Sequence, residues 1–206
     1  MYTYKSFWFF KKFFSKYVWK IEPTTQKIIY LTFDDGPTIG VTEKVLEILK
    51  QFNAKATFFL IGKNAILYPE IVTKILEEKH AIGNHTHNHL NGWKTKTKPY
   101  LENMTLAENI LPVTNLFRPP YGKITKKQAH EIILKGYKII MWDVLSYDFD
   151  PTVNYNTVVK KILKYTRNGS IIVFHDSKKA ENTVLKILPY LLTIWKNENY
   201  SFEILK

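Results

Sequence analysis

From residue 28 onward, short runs of β-branched and aromatic residues alternate with segments of helical periodicity. Residues 28–33 form the first apolar run, and the apolar residues that follow share one helical face: Val45, Ile48, Leu49 and Phe52. The alternation repeats about six times along the chain. This spacing predicts a parallel sheet with helices packed outside it, either an open doubly wound sheet or a barrel.

The same patterns predict the individual elements. Further strands are expected over 56–61, 81–83, 137–144, 171–174 and 200–204, with one more ending at Phe117. Pro69 suits a first helical turn, and later helices are expected over 101–110, 125–135, 156–165 and 184–195. Thr125 and Gln128 have capping-box spacing, and Pro189 is expected to kink the last helix. In either architecture, chemically active side chains gather at the carboxyl ends of the strands.

The composition limits the chemistry that the chain can perform. Its 206 residues suit one compact domain, and they include no cysteine, so any metal must be held by His, Asp or Glu. The net charge of +12 favours a polyanionic partner: nucleic acid, an anionic membrane or an acidic wall polymer. Scattered lysines on solvated helix faces are the simpler explanation. No nucleic-acid motif accompanies the charge, and no nucleic-acid partner is expected.

Residues 1–27 differ from the rest of the chain. On a helix, an aromatic and aliphatic face would oppose Lys5, Lys12 and Lys16; that face comprises Phe7, Phe10, Phe14, Tyr17, Val18 and Ile21. Such a helix suits peripheral contact of residues 1–21 with an anionic membrane, but it also suits packing over one end of a barrel. We find no membrane-spanning run and no cleavable signal peptide, and therefore expect a cytoplasmic or peripherally membrane-associated protein.

Two adjacent carboxylates end the first predicted strand, in the run Thr-Phe-Asp-Asp-Gly-Pro over residues 32–37. Asp-Gly-Pro is ordinary turn chemistry. Two neighbouring acids can nevertheless divide the work, since one of Asp34 and Asp35 can bind a cation while the other remains a base.

Three histidines follow the third predicted strand within five residues. His85 and His89 are four apart, a spacing that places both imidazoles on one face of a helical turn and binds zinc in other folds. A structural pair is the alternative, and a structural role is favoured for His87, His80 and His130. Two imidazoles with one carboxylate would leave a position for water, as in catalytic zinc sites. Such a metal acidifies that water and polarises a bound carbonyl.

Two later strand ends carry further candidates. Residues 117–122 form a loop with two prolines that can present a backbone N–H to a developing oxyanion, although a plain Pro-Gly loop is the simpler interpretation. His175 ends the predicted strand 171–174 and can protonate a leaving amine.

These motifs, in this order, resemble those of the polysaccharide deacetylases, carbohydrate esterase family 4, also called the NodB homology domain. The similarity covers residues 28–205 and places the catalytic domain at 28–206. It implies a distorted (β/α) barrel of about seven parallel strands. It also implies Asp34 as general base, and Asp35, His85 and His89 as ligands of one divalent metal ion, zinc or else cobalt or another divalent ion.

The remaining motifs extend the resemblance. Arg118 is implied to orient the base, while Pro120 and the Tyr121 backbone N–H serve the oxyanion and substrate. Val173 and His175 match a Leu-x-His motif, which implies His175 as general acid. The fourth motif, Asp-x-x-Asp-Trp, is altered: Leu145 replaces the first acid and Phe149 the Trp, while Asp148 is retained. The resemblance implies the first acid as the partner of the catalytic histidine, so its loss raises the question of whether Asp143 substitutes.

The resemblance implies a metal-dependent enzyme that hydrolyses N-acetyl groups of N-acetylated amino sugars in a polysaccharide or glycoconjugate, of chitin-oligomer or peptidoglycan type. A deacylase or deformylase of a small or lipid-linked amide is the first alternative. A catalytically impaired carbohydrate-binding relative is the second. The particular polymer, the metal and the oligomeric state stay open.

Overall fold

The computed structural model describes residues 3–6, 14–22 and 25–206. Its strands are β1 Ile28–Asp34, β2 Ala56–Leu60, β3 Ala81–Asn84, β4 Leu116–Phe117, β5 Lys138–Ile139, β6 Val144–Leu145, β7 Ile171–His175 and β8 Ser201–Phe202. Its helices are α1 Thr42–Gln51, α2 Gly62–Leu67, α3 Pro69–Glu77, α4 Thr97–Glu108, α5 Lys126–Leu134, α6 Tyr155–Tyr165 and α7 Glu181–Asn197. Short 3-10 turns occupy Gly92–Lys94 and Pro120–Gly122.

The strands form a single curled sheet. Seven of them follow the order β5-β4-β3-β2-β1-β7-β6, and β8 pairs with β1 beside this path. Every strand pairing is parallel. The two ends of the order, β5 and β6, are separated by only four residues, 140–143, so the sheet must roll up to bring them together. The predicted distorted barrel of about seven parallel strands is confirmed.

Burial explains why these segments form strands. All five residues of β2 are buried, as expected of a parallel strand that is covered on both faces. Phe33 stacks on Phe58 and Phe174 from the neighbouring strands, with ring centroids 5.1 Å and 5.7 Å apart. The helices close over this core with their apolar faces inward, and the capping box predicted at Thr125 and Gln128 is confirmed.

The strand predicted over 137–144 divides into β5 and β6. The run divides because its backbone changes from one neighbouring strand to another. The Ile140 N–H donates to the carbonyl of Phe117 in β4, whereas the Asp143 N–H donates to the carbonyl of Ile171 in β7. The apolar run 137–144 therefore supplies the two strands at opposite ends of the strand order, β5 and β6. The helix predicted over 184–195 runs from Glu181 to Asn197 and contains Pro189 as one continuous element.

The described part of the N-terminal segment pairs with the seam between β5 and β6, and it is not a helix. Residues 14–16 form a turn, and Val18 makes an isolated parallel bridge to Ile140. Lys5 makes an antiparallel bridge to Val144. The helical prediction is therefore wrong at Phe14, Tyr17, Val18 and Ile21, while Phe7, Phe10 and Lys12 lie outside the described residues. Over the described ranges, we find no helix with the length and apolarity needed to cross a membrane.

Candidate metal centre and catalytic site

Three strand ends bring the candidate residues together. Asp34 is the last residue of β1 and is the register partner of His175, the last residue of β7. The His85–His89 loop begins directly after β3, whose end pairs with Phe117 of β4. Because all these strands are parallel, their carboxyl ends lie at one rim of the barrel.

Asp35, His85 and His89 form a compact donor cluster. One ligand atom from each lies within 4.8 Å of the other two. The Nε2 atoms of His85 and His89 lie 3.7 Å and 3.1 Å from Asp35 Oδ1. The expectation of a helical turn here is wrong, since residues 85–91 form a loop in which Thr86 and His89 have positive φ values of 64° and 55°. These two left-handed residues, with Asp35 at φ 80°, turn the three side chains toward one point.

The protonation states of the cluster fit a divalent cation. The Nδ1–H of His85 donates to the Arg118 carbonyl at 2.7 Å, which leaves the Nε2 lone pair directed toward Asp35. Burial lowers the pKa of His85 to about 4, so its imidazole is neutral at pH 7. Burial would raise the pKa of Asp35, but the hydrogen bond from His89 and the nearby histidines outweigh it and hold that pKa far below its usual range. Two imidazoles with one carboxylate are a donor set suited to zinc.

Asp34 is held by a fully buried arginine. Arg118 Nη1 donates to Asp34 Oδ1 at 2.7 Å and to Thr32 Oγ1 at 2.7 Å. Its Nε and Nη2 donate to the carbonyls of Ile140 and Met141 at 3.2 Å and 3.0 Å. Four hydrogen bonds thus fix the guanidinium, and the guanidinium in turn fixes the carboxylate of Asp34 beside the cluster.

His175 is paired with Asp148. The Nδ1–H of His175 donates to Asp148 Oδ1 at 2.7 Å, and the backbone N–H of His175 donates to Asp148 Oδ2 at 2.8 Å. Burial would lower the pKa of His175, but the Asp148 carboxylate overrides it and raises that pKa to about 9. His175 is therefore protonated at neutral pH and can act as an acid.

The concern raised by Leu145 is therefore unfounded. The structure pairs His175 with the retained acid of the fourth motif, and the position of Leu145 plays no part in that pair. Asp143 does not substitute for it, since the carboxylate of Asp143 accepts a hydrogen bond from Ser170 at 2.7 Å, beside the start of β7 rather than its end. The sequence interpretation assigned the partner to the wrong acid of the motif.

The remaining candidates surround the same rim. Phe149 packs edge-on against His175, with ring centroids 4.7 Å apart, and Val173 is buried two residues before it on β7. Tyr121 has φ 60° in the turn that follows Pro120, and its ring lies 4.5 Å from that of His89. Among the other histidines, His80 accepts a hydrogen bond from the Ala56 N–H, and His130 is exposed on α5.

Asp176 is a residue whose role the sequence did not reveal. It is fully buried, and its carboxylate accepts hydrogen bonds from the Gly36 N–H at 3.1 Å and from the Thr42 hydroxyl at 2.6 Å. A Cβ on residue 36 would collide with this carboxylate, so only glycine fits there. Burial raises the pKa of Asp176 to about 7. Asp176 thereby ties the turn after Asp35 to α1; its place next to His175 was the only signal in the sequence.

A parallel barrel whose rim carries an Asp-His-His donor set, a buried carboxylate and a protonated histidine has the side chains that metal-dependent hydrolysis requires. The sequence model of the family described as polysaccharide deacetylase matches residues 21–140. The chain belongs to this polysaccharide deacetylase family, whose members depend on a metal.

Individual relatives agree with this assignment. A peptidoglycan-N-acetylglucosamine deacetylase of Bacillus cereus is 36% identical over 181 residues, which are 83% of this chain and 66% of that protein. The peptidoglycan-N-acetylglucosamine deacetylase PgdA of Listeria monocytogenes is 38% identical over 183 residues, which are 86% of this chain but 38% of that protein. The chain thus spans about two thirds or less of these two relatives.

A solved structure reproduces the fold over almost the whole chain. The crystal structure of the Bc1960 peptidoglycan N-acetylglucosamine deacetylase superposes with a TM-score of 0.83 at 31% identity. The match covers 92% of this chain and 91% of that one.

Proposed function

We propose that the chain hydrolyses N-acetyl groups of N-acetylated amino sugars in a polysaccharide or glycoconjugate, of chitin-oligomer or peptidoglycan type. One observation carries the proposal: Asp34 held by Arg118, and His175 held by Asp148, end adjacent strands beside the donor cluster of Asp35, His85 and His89. Amide hydrolysis needs a base for the attacking water and an acid for the departing amine, and these two pairs supply both.

Asp34 is the proposed base. Arg118 occupies its Oδ1 and keeps the carboxylate oriented, so Oδ2 accepts the proton of the attacking water. Asp35, His85 and His89 would hold a divalent metal ion, zinc by their donor set, which would supply the Lewis acidity that polarises the acetyl carbonyl. The backbone N–H of Tyr121 donates to the oxygen on which negative charge develops.

His175 is the proposed acid. Its Nδ1–H is occupied by Asp148, so the proton on Nε2 is the one delivered to the amine nitrogen as acetate leaves. Phe149 packs against the His175 ring and Val173 precedes His175 by two residues on β7, so we assign these two residues to an apolar wall for the acetyl methyl group. A relative that only bound carbohydrate would gain nothing from both a buried base and a protonated acid, which supports an active enzyme.

Acetate release from chitin oligomers and peptidoglycan tests the proposal, with and without a chelator. We expect the chelator to abolish release, and Asp34→Asn to lower kcat by about 100-fold or more while the metal content is unchanged. Glu47→Gln, on the exposed side of α1, is the matched control.

Four results would contradict the proposal. Full activity in chelator excludes the metal, and full activity of Asp34→Asn excludes the base. Turnover of small or lipid-linked amides alone would favour the deacylase, and glycan binding without any acetate release would favour an impaired relative. The compartment of the protein and its contact with a membrane stay predictions.

A further inference from the structure

Two lysine-rich segments adjoin the candidate site. The first, residues 93–98, starts four residues after His89, and the second, residues 123–127, starts two residues after Tyr121. Each segment therefore continues directly from a loop of the candidate site. Neither contains an acidic residue.

Hydrogen bonds join the two segments into one surface. The Gly92 N–H donates to the carbonyl of Lys123 at 3.1 Å. The buried side chain of Gln128 donates from Nε2 to the carbonyls of Gly92 and Thr95, both at 2.9 Å. A Cβ on residue 92 would collide with the Lys123 carbonyl oxygen, so the close approach requires glycine. We call this surface the lysine–tryptophan face; it comprises Trp93, Lys94, Lys96, Lys98, Lys123, Lys126 and Lys127.

The charge of this face is largely uncompensated. Five of its lysines are exposed, and Lys123 is partly buried. Among the described residues, the ion pairs of this face are limited to Lys98 with Glu102, at 3.9 Å and with both side chains largely exposed. The first turns of α4 and α5 contain no acidic residue. Because like charges so close together repel one another, an anion bound here lowers the electrostatic energy of the face.

An aromatic side chain lies in the middle of the charge. Trp93 is 66% exposed, yet its indole Nε1–H donates to the Ile124 carbonyl at 3.1 Å, which fixes the ring. The ammonium of Lys123 lies 5.4 Å from the centre of that ring. Tyr121, 60% exposed, precedes Lys123 by two residues and packs its ring against that of His89. A fixed, exposed aromatic surface suits the apolar C–H face of a sugar ring.

We propose that the lysine–tryptophan face binds an acidic polysaccharide strand and leads it to the site. Trp93 packs on one sugar ring, while the lysines pair with carboxylates carried by neighbouring units. This inference rests on the proposed function and deepens it, since it makes the substrate a carboxylated amino-sugar polymer rather than a neutral chitin-type one. A neutral strand would use only the tryptophan.

Charge reversal within the face tests the substrate class. The test compares two double variants. The first is Lys126→Glu/Lys127→Glu, within the face, and the second is Lys160→Glu/Lys161→Glu, at an adjacent lysine pair on α6. The readout is kcat/KM for acetate release from carboxylate-bearing peptidoglycan strands, divided by that from neutral N-acetylglucosamine pentamer. We expect the ratio to fall about 10-fold in the first variant and to stay near wild type in the second, and the wild-type ratio to fall with added salt. An equal change in both variants, or none in the first, would overturn the proposal.

Direct binding separates this inference from the catalytic proposal. Cosedimentation of the inactive Asp34→Asn protein with insoluble peptidoglycan does not depend on turnover, and the Lys126→Glu, Lys127→Glu changes should weaken it. Trp93→Ala should raise KM for both substrates without lowering kcat. Equal affinity for DNA or for anionic phospholipid vesicles would overturn the proposal, because the face would then select only charge. If the wild-type protein bound peptidoglycan but released no acetate, the catalytic proposal would be refuted while the proposed binding face would stand.

Discussion

The charge of His175 is decided by one carboxylate. Asp148 Oδ1 accepts hydrogen bonds from both His175 Nδ1 and the Ser146 hydroxyl, and the Asp148 carboxylate is fully buried. A buried carboxylate at this distance favours the imidazolium, which raises the pKa of His175 to about 9. The pair contributes its full stability below the unfolded histidine pKa of 6.5, and this contribution is lost as the pH rises through about 9.

Asp148→Asn should therefore move the alkaline limb of the activity profile. Asparagine keeps the shape of Asp148 and an acceptor for Nδ1–H but removes the charge, so the pKa of His175 falls. We expect the alkaline limb of kcat/KM to shift to lower pH by about one unit or more, with a loss of kcat of about 10- to 100-fold at pH 8. The measurement is acetate release between about pH 5 and 10.

A matched variant checks the specificity of this effect. Asp143→Asn removes a buried acid that contacts Ser170 instead of His175, so its profile should keep the wild-type limb even if its melting temperature falls. An unshifted limb in Asp148→Asn would show that His175 is not the titrating acid.

Among the elements, the seam between β5 and β6 depends on the N-terminal segment. The backbones of Tyr4 and Ser6 pair with the outer edge of β6, and that of Val18 pairs beside the end of β5. The ring of Tyr4 also packs against Tyr147, at 5.1 Å, next to Asp148. Strand edges left open are sites of aggregation, so this pairing protects the seam as well as stabilising it.

A chain starting at Lys27 should consequently be less stable. It loses five backbone hydrogen bonds, made by residues 4, 6, 18 and 21, each contributing about 1 kcal/mol net. We expect the melting temperature to fall by roughly 10–20 °C and the protein to aggregate on heating. Differential scanning calorimetry measures the first effect and light scattering the second.

The membrane interpretation of residues 1–21 makes a different prediction for the same chain. If the segment is an anchor, the truncated chain keeps the wild-type melting temperature and loses only its sedimentation with anionic liposomes. The packing of Val18 and Tyr4 against the barrel supports the first outcome. An unchanged melting temperature would refute it.

At the scale of the whole molecule, a metal ion would join distant parts of the chain. Asp35 follows β1, whereas His85 and His89 follow β3, so one ion links two loops at the rim of the barrel. A ligand that binds only the folded state stabilises it by mass action. The stability of the protein should therefore depend on free zinc.

We expect zinc at 100 times its Kd to stabilise the metal-free protein by about 2.7 kcal/mol, and to raise its melting temperature by roughly 5–10 °C. Asp35→Ala should abolish most of this increment, while Glu47→Ala, on the exposed side of α1, should retain it. A full zinc increment in Asp35→Ala would exclude Asp35 as a ligand. Thermal melts with and without chelator provide the comparison.

Local patterns were sufficient to predict a parallel sheet with outer helices and most of its elements, whereas the barrel was implied by the family resemblance. The alternation of strand and helix, the capping box at Thr125, and the motifs around Asp34 and His85 are properties of residues that are close in the chain. Periodicity reports which face of a segment is buried, and a motif reports its residue types. Both therefore predicted the parallel strands and the rim where the site residues lie.

Only the tertiary structure decided how those residues pair. Asp148 rather than Asp143 reaches His175 because β6 pairs with β7, and Asp176 reaches Gly36 because β7 pairs with β1 across more than half of the chain. His89 reaches Asp35 through left-handed backbone instead of a helical turn. The described part of the N-terminal segment is not helical, because its backbone pairs with the open edges of β5 and β6. Backbone donors and acceptors at such an edge outweigh the helical propensity of a short segment.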